Sequence, residues 1–147
     1  MTQRTAGLLG GRATFDQPIM SGLDAHAAIV AGLPNHALTA LSDNIPWIAR
    51  ADLLEKAVGI SLRTLQRRRK GTAPERLSQE QGSRAWKFAE IFAKASEILG
   101  SAEEAERFLE APALALDGRC PIDLIGSSAG TELVEDHLER MRHGVYE

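Results

Sequence analysis

A single cysteine, Cys120, stands among the 147 residues. No intrachain disulfide can form, and the paired thiolates of the common structural zinc motifs are missing. That scarcity suits a reducing compartment. Aromatic residues make up only 5% of the chain, with one tyrosine. No run approaches the roughly 20 apolar residues that a membrane-spanning helix requires, and the N-terminus lacks the charged start and continuous apolar core of a secretory signal. The sequence therefore predicts a cytoplasmic protein with no membrane partner. Histidine supplies no metal centre either. His26, His36, His137 and His143 have no ligand spacing among themselves or with a second cysteine, so no metal and no cofactor is expected.

Two glycine-containing stretches imitate catalytic motifs and lack their context. Gly7-Leu8-Leu9-Gly10-Gly11 is not followed by the Gly-Lys-Ser/Thr that a phosphate-binding loop needs. Gly126-Ser127-Ser128-Ala129-Gly130 matches the G-x-S-x-G nucleophile elbow of hydrolases. Yet Asp136, His137 and His143, the acid and bases that follow it, fall on the helix that this segment opens, which gives no route back to the serine. No catalytic constellation remains, and the chain reads as non-enzymatic.

What is present is helix. The composition is 44% apolar and 25% charged, and rich in the Ala and Leu that favour helices, so an all-α fold with little or no sheet is expected. The stretch from Leu53 to Lys70 reads as two short helices meeting at a tight turn. Leu53, Leu54 and Ala57 line the first helix, Gly59 permits the left-handed backbone that ends it, and Ile60 fills the turn. Ser61 caps the second helix, whose buried pair is predicted to be Leu62 and Leu65. Its other face carries Arg63, Thr64, Gln66, Arg67, Arg68 and Lys70. Arg and Gln read guanine and adenine edges, while Thr and Lys can hold phosphates. Charge sharpens the contrast: residues 61–76 sum to +5 in a chain of net charge −3, leaving −8 for everything else. A basic patch on an acidic protein is a localised polyanion site.

Around this helix-turn-helix the chain divides into three expected parts. Residues 1–20 hold Gly7, Gly10, Gly11 and Pro18 with no sustained period, and read as a flexible tail. Residues 21–76 form the DNA-binding half. Leu23, Ala27 and Val30 mark a helix between Ser21 and Gly32; Ala37, Leu38 and Leu41 mark another, and Pro46 opens a turn bearing Trp47 and Ile48. Residues 77–147 form a second helical half. A capping box, Ser78 with Gln81, opens a long helix through Ala85, Phe88, Phe92, Ala95 and Leu99 that bridges the two halves. Ser101 with Glu104 opens a shorter helix, which ends before Pro112. From Glu97 to Asp117 there are six acidic residues and one Arg, a surface that phosphates avoid. The last helix runs from about Ala129 to His143, with Val134, Leu138 and Met141 on one face and Gly144 as its stop.

Gly59-Ile60-Ser61-x-x-Thr64-Leu65-Gln66-Arg67-Arg68, Leu77-Ser78, Arg84, Leu116-x-Gly118-x-x-Pro121-Ile122-Asp123-Leu124-Ile125, Gly130, Val134, Leu138, Arg140 and His143-Gly144-Val145-Tyr146 follow in that order. Over residues 30–147 the pattern resembles the Xre-type antitoxins with the MbcA/ParS toxin-binding domain. Two departures are local. Phe108-Leu109 stands where the family commonly has Trp-Leu, and Gly126-Ser127-Ser128 follows Leu124-Ile125 where it often has Thr or an acid after a Leu-Leu pair. The resemblance implies a C-terminal domain that neutralises a RES-domain toxin, an enzyme consuming NAD or using it to modify targets. It also implies an N-terminal half that binds the operator of the toxin–antitoxin pair. A stand-alone helix-turn-helix regulator without a toxin is the alternative.

Site assignments follow. Arg63, Gln66 and Arg67 are expected to contact bases, and Arg68, Lys70 and Arg76 to hold phosphate, with Ser61 and Thr64 at the same helix entrance. Helix-turn-helix proteins commonly pair on two half-sites, so a homodimer is expected, with Phe92, Ile122, Leu124 and Leu138 in its contact. Toxin binding is assigned to Arg140, His143, Gly144, Val145, Tyr146 and Glu147: beyond the stop at Gly144 a short plug carrying Tyr146 and a terminal anion can enter a concave, cation-lined pocket.

Overall fold

The structure, a computed structural model, describes residues 2–71 and 75–144. Among these are eight α-helices, four short 3-10 segments and no strand, so the all-α expectation holds. Among the described residues two isolated β-bridges are present, Pro34 with Arg76 and Ala113 with Arg119. Packing divides the chain into two compact units, residues 1–90 and 91–147.

The first unit begins with a correction. The segment expected as a flexible tail contains helix α1 (Thr2–Leu8) and a 3-10 turn (Gly11–Ala13), and it buries Thr5, Ala6, Leu9, Phe15 and Ile19. Asn44 donates its side-chain amide to the Leu8 carbonyl at 3.0 Å, and Phe15 meets Trp86 edge to face with ring centroids 6.3 Å apart. The segment has no period because it reaches the core through a bent path. Gly10 sits at φ +106°, and a Cβ there would lie 2.3 Å from Thr14 Oγ1.

Helix α2 (Gly22–Ala31) starts where Ser21 Oγ accepts the Asp24 N–H, and α3 (Asn35–Asn44) follows Pro34. On α2 it is Ala25 that is buried. The apolar stripe seen in the sequence faces outward, with Leu23 76% and Val30 52% exposed. Helices α4 (Leu53–Val58) and α5 (Leu62–Arg69) flank the expected turn, with Gly59 at φ +79° and Ile60 buried. The long helix α6 (Gln79–Leu99) opens on a complete capping box. Ser78 N–H donates to Gln81 Oε1 at 2.9 Å, and Gln81 N–H to Ser78 Oγ at 3.1 Å.

The division between units falls inside α6, after Glu90, rather than between residues 76 and 77, because the first half of α6 packs into the N-terminal unit. Gly82 lies opposite Ile29 and Leu33, and Arg84 donates to the Lys56 carbonyl at 3.0 Å, satisfying the last turn of α4.

The second unit holds the end of α6 with α7 (Ala102–Glu110) and α8 (Ser128–Arg142), joined through 3-10 turns at Leu114–Leu116 and Pro121–Asp123. Ser101 caps α7 as expected, accepting from Glu104 N–H at 3.1 Å. Phe92, Ile122 and Leu138 are buried within the chain, and only Leu124 of the four expected dimer contacts is even half exposed. That assignment is corrected: a small unit with few aromatics uses its largest apolar faces for its own core.

Candidate nucleic-acid interface and C-terminal surface

Helix α5 is built from its cap. Ser61 Oγ accepts the Thr64 N–H at 3.1 Å and its hydroxyl donates to Thr64 Oγ1 at 3.0 Å, so both side chains serve the helix entrance. Leu65 is buried, whereas Leu62 is only half-buried; the second inward position belongs to Arg68. With 100° per residue, Arg63, Gln66, Arg67 and Lys70 then share the opposite side, at i, i+3, i+4 and i+7, and all four are exposed. One face therefore presents three cations and an amide in the arrangement that base and phosphate recognition uses.

Arg68 does not take the phosphate-holding role expected of it. It is 7% exposed, and its guanidinium donates to Asn35 Oδ1 at the start of α3 and, at 3.5 Å, to Gln81 Oε1 in the capping box of α6. Burial lowers its pKa from the ordinary arginine value. Buried against these partners it ties three helices together and is not available to phosphate. Arg69, which sequence reasoning passed over, is also tied down, pairing with Asp43 of α3 at 2.8 Å. Arg76 is exposed but lies at the α2–α3 turn, where its bridge with Pro34 places it and its Nη1 donates to the Gly32 carbonyl at 2.6 Å. No local signal distinguishes Arg68 or Arg69 from their neighbours: the partners stand 13 to 33 residues away in the chain, Gln81 and Asn35 for Arg68 and Asp43 for Arg69.

At the other end of the chain, the hydrolase-like segment is a helix cap. Ser127 Oγ accepts the Gly130 N–H at 3.0 Å, and a Cβ on Gly130 would lie 1.8 Å from the Leu124 carbonyl oxygen, so glycine is required for α8 to approach the preceding turn. Ser128 and His137 are nine residues apart on one helix, roughly 13 Å. His137 is buried, stacked on Phe108 at 5.7 Å, and so has a packing role. Cys120 is half-buried, its thiol donating to the Glu110 carbonyl.

The last turn of α8 is held by charge. Glu139 accepts from Lys94 of α6 at 2.6 Å and lies near Arg142 and His143; the Lys94 hydrogen bond, aided by these cations, draws the Glu139 carboxyl below the ordinary carboxylate value. Arg142 also reaches Glu97 at 3.4 Å. Arg140, His143 and Gly144 are exposed. Val145, Tyr146 and Glu147, the remaining expected toxin contacts, lie outside the described residues.

A helix-turn-helix with an outward cationic face, followed by a separate acidic helical unit, defines a DNA-binding protein that carries a second binding module. The chain belongs to the Xre-type antitoxins. Residues 24–90 match the antitoxin Xre-like helix-turn-helix domain, and residues 94–144 match the antitoxin Xre/MbcA/ParS C-terminal toxin-binding domain. The two matched ranges meet where packing separates the units. The protein is thus an antitoxin of a toxin–antitoxin system, with a toxin and DNA as its two kinds of partner. Curated proteins give no match to the chain. No described helix is long and apolar enough to cross a membrane.

Proposed function

We propose that this antitoxin is a non-enzymatic, cytoplasmic homodimer that blocks a RES-domain, NAD-consuming toxin and represses its own operator. The observation that carries the reading is the pairing, on one chain, of the Arg63, Gln66, Arg67 and Lys70 face with a toxin-binding domain over residues 94–144. A repressor able to hold the toxin links toxin level to transcription of both genes. The stand-alone regulator has no use for the second module.

Dimerisation finds support in α2 instead of in the C-terminal core. Leu23, Ala27 and Val30 recur at the 4-3 spacing of a helix seam and are exposed, and the exposed Met20 just precedes the helix. Ala27 at the centre lets two copies of the helix approach, and two copies related by a twofold axis would present their α5 helices to half-sites about 34–36 Å apart. For neutralisation, Arg140, His143, Gly144, Val145, Tyr146 and Glu147 form the plug that enters the toxin's NAD pocket. The deciding experiment expresses the chain with the protein encoded in the adjacent reading frame. Co-purification of an enzyme that consumes NAD only when the antitoxin is removed supports the reading; a neighbour that neither binds nor touches NAD ends it.

A further inference from the structure

Among the described residues of the C-terminal unit, the exposed large apolar ones are Leu114, 78% exposed, and Leu133, 53% exposed. Leu133 lies on α8, one turn before His137, and the 3-10 turn that carries Leu114 packs against α8. Leu133 does not stand alone on its side of the helix. At 100° per residue, Leu133, Asp136, Arg140 and His143 fall within about 80° of one another, and all four are exposed. The buried side of α8 is formed by Gly130, Thr131, Val134, His137 and Leu138, so this outer stripe contributes nothing to the core.

We propose that the outer stripe of α8, Leu133-Asp136-Arg140, is the surface on which the toxin docks, with the exposed Leu114 carried by the 3-10 turn that packs against this helix. The inference rests on the antitoxin reading above and adds the residues that hold the partner. Three observations identify the occupant as the toxin. The stripe lies wholly within residues 94–144, the matched toxin-binding domain. It runs on to the exposed Arg140 and His143 at the C-terminal end of α8, two of the residues already assigned to the toxin. Its charge also selects. Residues 91–144 carry eleven Asp or Glu against five Lys or Arg, and three of those cations, Lys94, Arg107 and Arg142, are already engaged with Glu139, Glu104 and Glu97. A partner suited to this surface offers an apolar socket for Leu133, bordered by cationic groups that meet Asp136 and Glu132. Nucleic acid is excluded by the same charge. Anchor side chains set in a polar rim are how a small protein interface concentrates its affinity.

The test uses the full-length antitoxin and the toxin encoded in the adjacent reading frame, with affinity measured by calorimetry. Leu133→Asp is expected to weaken binding by at least about thirtyfold, the range of a hot-spot residue. Asp136→Lys is expected to weaken it less and to flatten its dependence on salt. Leu133→Gln keeps helix propensity and serves if the Asp variant loses helicity. Glu103→Ala, an exposed position in the first turn of α7, serves as the control that retains binding. Operator binding and the thermal melt should be unchanged in each. Toxin affinity within about twofold of wild type for both Leu133 variants would overturn the inference while leaving the antitoxin reading intact. A wild-type chain that fails to bind the neighbour overturns both.

Discussion

At Arg68 the guanidinium is buried and donates to Asn35 and Gln81, so its side chain supplies a hydrogen bond to each of two other helices, and its loss removes both. Arg68→Ala should therefore lower stability by about 1–3 kcal/mol, read as a shifted urea midpoint. Arg67, the next residue, is exposed on the outward face of α5. Arg67→Ala should leave the midpoint alone and cost about 1–3 kcal/mol in operator affinity with relaxed sequence preference, while Lys70→Ala lowers the slope of log K against log salt by about 0.9. An Arg67→Ala protein that binds operator as wild type does would show that α5 is not the recognition helix. The sequence distinguishes neither residue: both are arginines in a run of three, and only the inward position beside Leu65 separates them. What chooses Arg68 for that position is Asn35, 33 residues earlier, a long-range fact that helical periodicity does not contain.

Elements with local signals were legible one by one, since a cap is made by residues three apart: Ser61 with Thr64, Ser78 with Gln81, Ser101 with Glu104 and the Gly59 turn all stand where the sequence puts them. Periodicity located α2 but could not say that its Leu23–Val30 stripe points to solvent, and it passed over α1, whose residues are buried through a bent path. In the C-terminal unit it marked apolar positions correctly and assigned three of them to a dimer instead of to the core. The element most open to measurement is the last turn of α8, held to α6 by Lys94 and Glu139. Because the Glu139 carboxyl has a depressed pKa in the folded state, its contribution is present above the ordinary value of 4.5 and is lost as pH falls through the folded value. Acid should thus loosen the end of α8 first. Glu139→Gln should melt lower than wild type at neutral pH and converge with it as the pH drops below the carboxylate range, followed by circular dichroism. Equal melts at neutral pH would mean that the Lys94 pair contributes nothing.

For the whole molecule, two binding modules on one chain make oligomeric state and neutralisation separable by experiment. Leu23→Asp places a charge within the exposed α2 stripe without touching the core, since Leu23 is 76% exposed. It should turn the dimer into a monomer by light scattering, weaken operator binding and spare the melt and toxin inhibition. A wild-type protein that is monomeric at every concentration removes the dimer from the proposal. Neutralisation is tested at the other end. A chain stopped after Gly144 keeps every described element, including Arg140, His143 and the Glu139 pairs, and lacks Val145, Tyr146 and Glu147. If the tail is the plug, this truncation folds, dimerises and still binds the toxin through Leu133 and its neighbours, yet the bound toxin regains NAD consumption. Docking and blocking then belong to different residues, because an anchor on α8 can hold an enzyme without occupying its pocket. Should the truncated chain silence the toxin at equal concentration, the α8 stripe itself covers the pocket and the plug is dropped. Should it lose binding altogether, the tail supplies the affinity and the stripe is the accessory. Tyr146→Ala in the full chain then distinguishes an aromatic anchor from an acidic one, since it removes the ring and leaves the side-chain carboxylate of Glu147 in place.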